Sequence, residues 1–382
     1  MHMSQFFGSK KVLGVLGAGQ LGKMMAQAAS PWDLTLHMLD PTPGAPAAHL
    51  CTHCQTGDFR DEETVMAFGK NCDVLTIEIE QVNVRALERL EAEGKAVYPQ
   101  PRALKIIQDK GLQKQFFDEH GLPTSPYQLY DGPEALRRDN PAFPKVQKKR
   151  TEGYDGRGVQ MLRNASDLDR LLPGPCVVED AVDIGTEISV IAARSPSGEV
   201  VTYDPVEMQF HPEANLVEFL AAPARIPPAL AEAARKLARD TIEAFDLVGL
   251  LAVEMFIDTG GNLLINEVAP RPHNSGHHSI EACVTSQYQQ HLRAILNLPL
   301  GETALRSPAV MLNLLGEEGH AGPVRYAGVE AVLRAPDAFL HLYGKHETRP
   351  FRKMGHLTVL DASLERAIER ARALKPQLKA QT

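Results

Sequence analysis

The chain has 382 residues, room for two or three domains at the usual ~100–200 residues each, and 43% of it is hydrophobic against 23% charged. That balance excludes a disordered, collagen-like or coiled-coil chain, and the longest apolar run, Leu247–Val253, is far below the ~20 residues that span a bilayer. A formal charge of −8 argues against a nucleic-acid surface, and five cysteines, an odd number, read as reduced thiols of a cytoplasmic protein.

Lys11 followed by Val12–Leu16 imitates the start of a signal peptide. Gln20 interrupts it and no small-residue cleavage site follows, so it reads as a buried first strand. Further strands at Leu34–Leu39 and Asp73–Glu80 alternate with helices at Gln20–Ala29, Asp61–Lys70 and Asn83–Gly94, the last with Asn83 as N-cap. Such alternation predicts a parallel sheet covered by helices. The lone Cys51-Thr-His-Cys54 has no second pair at metal-ligand spacing and reads as chance. Beyond Pro99–Pro101 one long helix is expected to run to His120.

The middle of the chain is α+β and mainly antiparallel. Strands are expected at Phe143–Lys149, Val159–Leu162, Cys176–Asp180, Thr186–Arg194 and Glu199–Asp204, with Ser195–Gly198 as the turn between the last two. A helix at Ala229–Phe245 precedes strands Leu250–Ile257 and Asn262–Val268. From about residue 302 the pattern gives strands near Val310–Leu315, Val329–Leu333 and His356–Leu360, then an amphipathic helix from Leu364.

Four segments carry chemistry. Gly17-Ala-Gly19-Gln-Leu-Gly22 lies between a strand and a helix, where glycines let backbone amides approach a phosphate. Asp40 then sits where a dinucleotide-binding fold places its ribose acid, so residues 12–40 alone suggest an NAD-dependent dehydrogenase. In the later hairpin, taking Gly260-Gly261 as the central turn residues sets Glu254 opposite Glu267. Their repulsion at ~5 Å is roughly 3 kcal/mol at an effective dielectric near 20, and a divalent cation would remove it. Lys148-Lys-Arg-Thr-Glu-Gly153-Tyr-Asp-Gly156-Arg-Gly158 suits a flap of amides and cations over polyphosphate. Two prolines stiffen the loop around Arg271, an anion-binding side chain, ahead of His273 and Asn274.

Taken together, GAGQLG at 17–22, EIEQV at 78–82, QDKGLQKQFF at 108–117, GYDGRG at 153–158, NEVAPRPHNSGH at 266–277 and YGKHETRPFRKMGH at 343–356 resemble the ATP-grasp superfamily. Within it the chain is similar, over nearly its whole length, to the N5-carboxyaminoimidazole ribonucleotide synthetase family. The resemblance implies a Rossmann-like N-terminal parallel-sheet domain at 1–105, an ATP-grasp domain at 106–301 with a flap subdomain at about 123–185, and a small C-terminal β-rich domain at 302–382. It implies an ATP-dependent ligase of purine biosynthesis. The implied reaction is phosphorylation of bicarbonate by ATP with Mg2+, followed by passage of the carboxyl to the amine of aminoimidazole ribonucleotide.

By the same resemblance, Lys110 and Lys148 contact the ATP phosphates, and Gly153, Tyr154, Asp155, Gly156, Arg157, Gly158 and Val159 form the flap. Glu179, Asp180, Ala181 and Val182 form the strand that reads adenine, Glu187 meets the ribose, His211 lies nearby, and Asn266 lines the site. Glu254 and Glu267 match the metal ligands. Gln20, Leu21, Glu78, Lys345, Arg352 and Lys353 bind the ribonucleotide, with Tyr154 and Arg157 closing over it. Arg271, His273 and Asn274 form the bicarbonate pocket, and Asp155 is placed with them in catalysis. A cytoplasmic homodimer is expected, with small-molecule partners and neither nucleic acid nor membrane.

Glu152 and Phe351 stand where relatives commonly carry glycine. Formate-dependent glycinamide ribonucleotide transformylase, of the same superfamily, is the nearest rival, and the GYDGRG flap favours the carboxylase. A dehydrogenase leaves 145–275 unexplained.

Overall fold

The computed structural model describes residues 6–139, 141–151, 153, 158–210 and 217–382. Tyr154, Asp155, Gly156, Arg157 and His211, together with Glu152, lie outside the described residues. The first hundred residues alternate β1 (Val12–Leu16), α1 (Gln20–Ala29), β2 (Thr35–Asp40), β3 (His53–Thr56), α2 (Glu62–Gly69), β4 (Val74–Ile77), α3 (Val84–Ala92) and β5 (Ala96–Val97). The strands form one parallel sheet in the order β3-β2-β1-β4-β5. Its order reverses between β1 and β4, the switch point where such sheets open a crevice. Asn83 caps α3 as expected, accepting from the Ala86 amide at 2.9 Å.

Residues 101–120 are two helices rather than one, α4 (Pro101–Ile107) and α5 (Lys110–Glu119). Asp109 breaks the run. Its backbone is extended, and its carboxylate accepts from the amides of Gly111 and Leu112 at 2.7 and 3.2 Å, capping a new helix. The cap aims Lys110 and Lys114 into the molecule from α5.

A four-stranded sheet follows from β6 (Tyr127–Tyr130), β7 (Lys145–Lys149), β8 (Val159–Leu162) and β9 (Cys176–Asp180), ordered β6-β9-β7-β8, with α6 (Pro133–Asp139) beside it. The large sheet is built from β10 (Ile184–Arg194), β11 (Val200–Thr202), β12 (Val206–Phe210), β13 (Val217–Ala222), β14 (Gly249–Asp258) and β15 (Leu263–Ala269). Helix α7 (Pro228–Ala244) packs on it, burying Leu237, Ala238 and Ile242 against Val190, Leu251 and Val253. Each large apolar side chain so buried contributes about 1.5–3 kcal/mol. α8 (Ser279–Ala282) and α9 (Gln287–Ile295) lead to the C-terminal strands.

There β16 (Ala309–Leu315) pairs with β13, so the C-terminal part extends the same sheet in the order β15-β14-β10-β12-β13-β16-β21-β19. Its other elements are β17 (Gly322–Pro323), β18 (Arg325–Ala327), α10 (Val329–Arg334), β19 (Ala338–Leu342), β20 (Glu347–Thr348), β21 (Lys353–Leu360), α11 (Leu364–Leu374) and β22 (Lys379–Gln381). The strand expected at Val329–Leu333 is helix α10. Gly328 turns the chain at φ 76°, Val332 alone is fully buried, and Leu333 stays 69% exposed, so the apparent alternation reflects a single inward face. Among the described residues no helix is long and apolar enough to cross a membrane.

Candidate active site

The hairpin β14–β15 forms one wall of a cleft, and Glu254 and Glu267 are cross-strand partners, as the spacing predicts. The assumed turn is corrected. Asp258 and Asn262 close the hairpin, and near it Met255 pairs with Ile265 and Ile257 with Leu263, one residue out of step with a Gly260-Gly261 centre. Asn266 is then the extra residue of a β-bulge, which restores the glutamate pair. Because of the bulge, Ile265 and Val268, three apart, both enter the core, and both Asn266 and Glu267 face the cleft.

Three lysines and two glutamates interlock across that cleft. Lys110 at the start of α5 is ion-paired to Glu267, whose side chain remains 42% exposed. Lys148 of β7 reaches Asn266 Oδ1 at 2.8 Å and Glu179 Oε1 at 2.9 Å. Glu179 is 3% exposed and also meets Lys114 Nζ at 3.2 Å and the Ser125 hydroxyl at 2.6 Å. Burial would raise its carboxyl, but Lys148 and Lys114 overcome that and hold it down at about 2. Glu179 therefore acts as the buried counter-ion of two lysines, on the strand expected to read adenine.

Glu254 has the opposite environment. Burial, then the charges of Glu267 and Glu187, raise its carboxyl well above the usual range, against the pull of Lys110 and Lys353. Glu267 is held low, chiefly by Lys110. Glu187, half-buried on β10, is pushed up to about 7 by burial. Two opposed carboxylates, one of them short of positive charge, form an all-oxygen donor set. Among the described residues no three His, Cys, Asp or Glu side chains converge on a point. Such a pair fits a hard cation that keeps waters and phosphate oxygens in its shell, the habit of Mg2+.

The following loop turns back over this wall. Arg271 pairs with Glu80 at 2.6 Å. His273 places Nε2 3.5 Å from Glu254 Oε1 and Nδ1 2.9 Å from the Ser275 hydroxyl. Its backbone N–H and C=O are both held by the Gln287 carboxamide, at 2.8 Å each. Asn274 is buried against Asn313.

At the flap, Lys148 and Val159 are cross-strand partners, and Gly158, at φ 80°, accepts the Lys149 amide at 2.8 Å. Gly153 lies beside it, 3.4 Å from where a Gly158 Cβ would stand. Asp180 is ion-paired to Lys145, its N–H donates to Pro126 O, and that of Ala181 donates to Pro144 O, ahead of the half-buried Val182.

The N-terminal glycine loop is filled from within. Glu78, at the end of β4, accepts from the amides of Gly19 at 3.1 Å and Gly22 at 2.8 Å, so its carboxylate caps α1 where a ligand phosphate would sit. A Cβ on Gly17 would stand 2.3 Å from Glu78 Cγ, which explains that glycine. Asp40 is committed as well, accepting from the amides of Ala18 and Thr42 at 2.9 and 2.8 Å. Both facts tell against a dinucleotide site. Leu21 turns its side chain into the core, whereas Gln20 Oε1 accepts from Lys345 Nζ at 2.6 Å, across 325 positions of sequence. Lys345 also donates to Lys353 O at 2.6 Å, and Arg352 to Glu347 O at 2.7 Å, so the cationic tail lies against the glycine loop.

Sequence reasoning missed Lys114, Ser125, Glu80, Gln287 and Asn313. Lys114 had a signal, since it lies four residues after Lys110 on one helix face. The carboxamides had none.

The ATP-grasp domain family matches residues 115–288, the ribonucleotide synthetase preATP-grasp domain residues 10–108, and the phosphoribosylaminoimidazole carboxylase C-terminal domain residues 309–370. The N5-carboxyaminoimidazole ribonucleotide synthase of Synechococcus elongatus is 39% identical over 374 residues, 96% of this chain and 93% of that one. A crystal structure of the synthetase from Thermotoga maritima has a TM-score of 0.90 at 43% identity, covering 97% of this chain and 99% of its own. The Aspergillus clavatus enzyme, in complex with ADP and 5-aminoimidazole ribonucleotide, gives 0.87 at 32% identity over 96% of this chain and 98% of its own. Sheet topology, cleft and relatives agree: the chain belongs to the N5-carboxyaminoimidazole ribonucleotide synthetase family of ATP-grasp ligases.

Proposed function

We propose that the protein carboxylates 5-aminoimidazole ribonucleotide at its exocyclic amine, using ATP and bicarbonate and releasing ADP and phosphate. The observation that carries this is convergence. The acidic hairpin, the Arg271–Asn274 loop and the cationic tail lie together, with Lys353 near enough to Glu254 to lower its carboxyl. Lys110 and Lys148 bind phosphate oxygens of ATP. Glu254 and Glu267 would hold Mg2+, which when bound neutralises charge on those oxygens during phosphoryl transfer.

Arg271, His273 and Asn274 hold bicarbonate, and the guanidinium stabilises the charge that builds as a bicarbonate oxygen bonds to the γ-phosphorus and ADP leaves. The amine then bonds to the carboxyl carbon, phosphate departs, and the amine loses a proton. Lys345, Arg352 and Lys353 grip the ribonucleotide phosphate. We extend the proposal to a cytoplasmic homodimer on family resemblance alone.

Phosphate release from ATP and bicarbonate tests the assignment. It should require Mg2+ and rise on adding 5-aminoimidazole ribonucleotide. Stimulation by formate with glycinamide ribonucleotide instead would overturn it.

A further inference from the structure

Asn313 stands in the middle of β16, and its carboxamide makes three hydrogen bonds. Nδ2 donates to Val217 O at 2.7 Å and to Asn274 Oδ1 at 2.8 Å, and Oδ1 accepts from Asn274 Nδ2 at 2.9 Å. Both asparagines are nearly sealed from solvent, at 7% and 8% exposure. The two ends of a carboxamide are sterically alike, so its orientation is decided only by a neighbour that can donate or accept but not both.

Val217 O is such a neighbour, because it can only accept. It requires Nδ2 of Asn313 to face it. Both hydrogens of that nitrogen are then engaged, and Oδ1 is turned toward Asn274. The constraint passes on: Asn274 must present Nδ2 to Asn313 Oδ1, and its own Oδ1 to Asn313 Nδ2. One N–H hydrogen and one lone pair of Asn274 remain for the loop that also carries Arg271 and His273.

We propose that Asn313 is a positioning residue for the anion pocket, fixing through Val217 O which end of the Asn274 carboxamide is the donor. The proposal rests on the bicarbonate reading of the Arg271–Asn274 loop. Asn313 also connects the pocket with the substrate tail. Its strand pairs with β21, in which His356 is its cross-strand partner and Lys353 the first residue.

The test compares Asn313→Leu, Asn274→Ala and the double variant by steady-state kinetics and thermal melts. Asn313→Leu should raise the KM for bicarbonate about tenfold, as small misplacements of a binding group do, and leave that for ATP within about twofold. If Asn313 acts through Asn274, adding Asn313→Leu to Asn274→Ala should change the bicarbonate KM no further. An unchanged bicarbonate KM in Asn313→Leu, or effects that multiply in the double variant, overturns the proposal. If Asn274→Ala itself leaves the bicarbonate KM where it was, the pocket reading falls instead. Should Asn313→Leu fail to fold, Asn313→Ser, smaller and able to bond only one partner at a time, carries the same comparison.

Discussion

Glu179 and Glu254 stand on facing walls of one cleft, both largely buried, yet their surroundings are opposite. Glu179 has Lys114, Lys148 and a serine hydroxyl around it and is held ionised at about 2. Glu254 faces another glutamate, and burial together with like charge pushes it up to about 8. Around Glu179 the flap wall thus already holds two cations to one acid, and its carboxylate is satisfied before any ligand arrives. The hairpin wall is short of positive charge until something brings it, which fits the cation-holding role proposed for it.

The contrast can be broken most sharply at Glu267. Glu267→Gln should cut Mg2+-dependent phosphate release by about two or more orders of magnitude, since metal stabilisation of phosphoryl transfer is worth several kcal/mol. The melt of the ligand-free protein should shift little, because the lost Lys110 contact is offset by relief of Glu254. A destabilised but active variant would place Glu267 in the same class as Glu179. Next in size, Glu179→Gln leaves two buried ammonium groups facing a neutral partner and should destabilise the protein by about 3 kcal/mol at pH 7, read from chemical denaturation. No loss would mean the flap wall does not depend on its internal pairing.

The smallest effect is one of slope. A carboxyl raised in the folded state favours folding below its ordinary value near 4.5, and that contribution is lost as pH rises through about 8. Glu179, lowered to about 2, contributes above 4.5 and loses its share as pH falls toward 2. Ligand-free melts between pH 5 and 8.5 should therefore decline less steeply with pH in Glu254→Gln than in the parent. Identical slopes would show that Glu254 is not starved of charge.

What was legible in the sequence was what depends on near neighbours. The strand at Val12–Leu16 and the Asn83 cap follow from local pattern alone. The split of residues 101–120 was legible in principle, because Asp109 is a helix-capping residue, but the helical composition on both sides masked it. Misreading Val329–Leu333 shows that five residues cannot separate period 2 from period 3.6 when only one side chain is buried. Of the site, Glu78 filling the glycine loop was invisible because its partners lie 56 and 59 residues away, and the Asn313–Asn274 pair for the same reason. The glutamate pairing was predicted correctly from a turn that is not there, two one-residue departures cancelling.

That cancellation has a consequence for how the hairpin tolerates change. Because Asn266 absorbs a full residue between turn and carboxylates, the tip and the base of the hairpin keep separate registers. Lengthening or shortening the Thr259–Gly261 connection is a disturbance the tip can take up alone. Deleting Asn266 instead would bring β15 into simple alternation, with Ile265 and Val268 still inward and Glu267 still opposite Glu254, but it would tie the base of the strand to the tip and take from Lys148 its Asn266 partner. The bulge works as a slip joint: it isolates the part of the strand that must not move from the part that is free to vary.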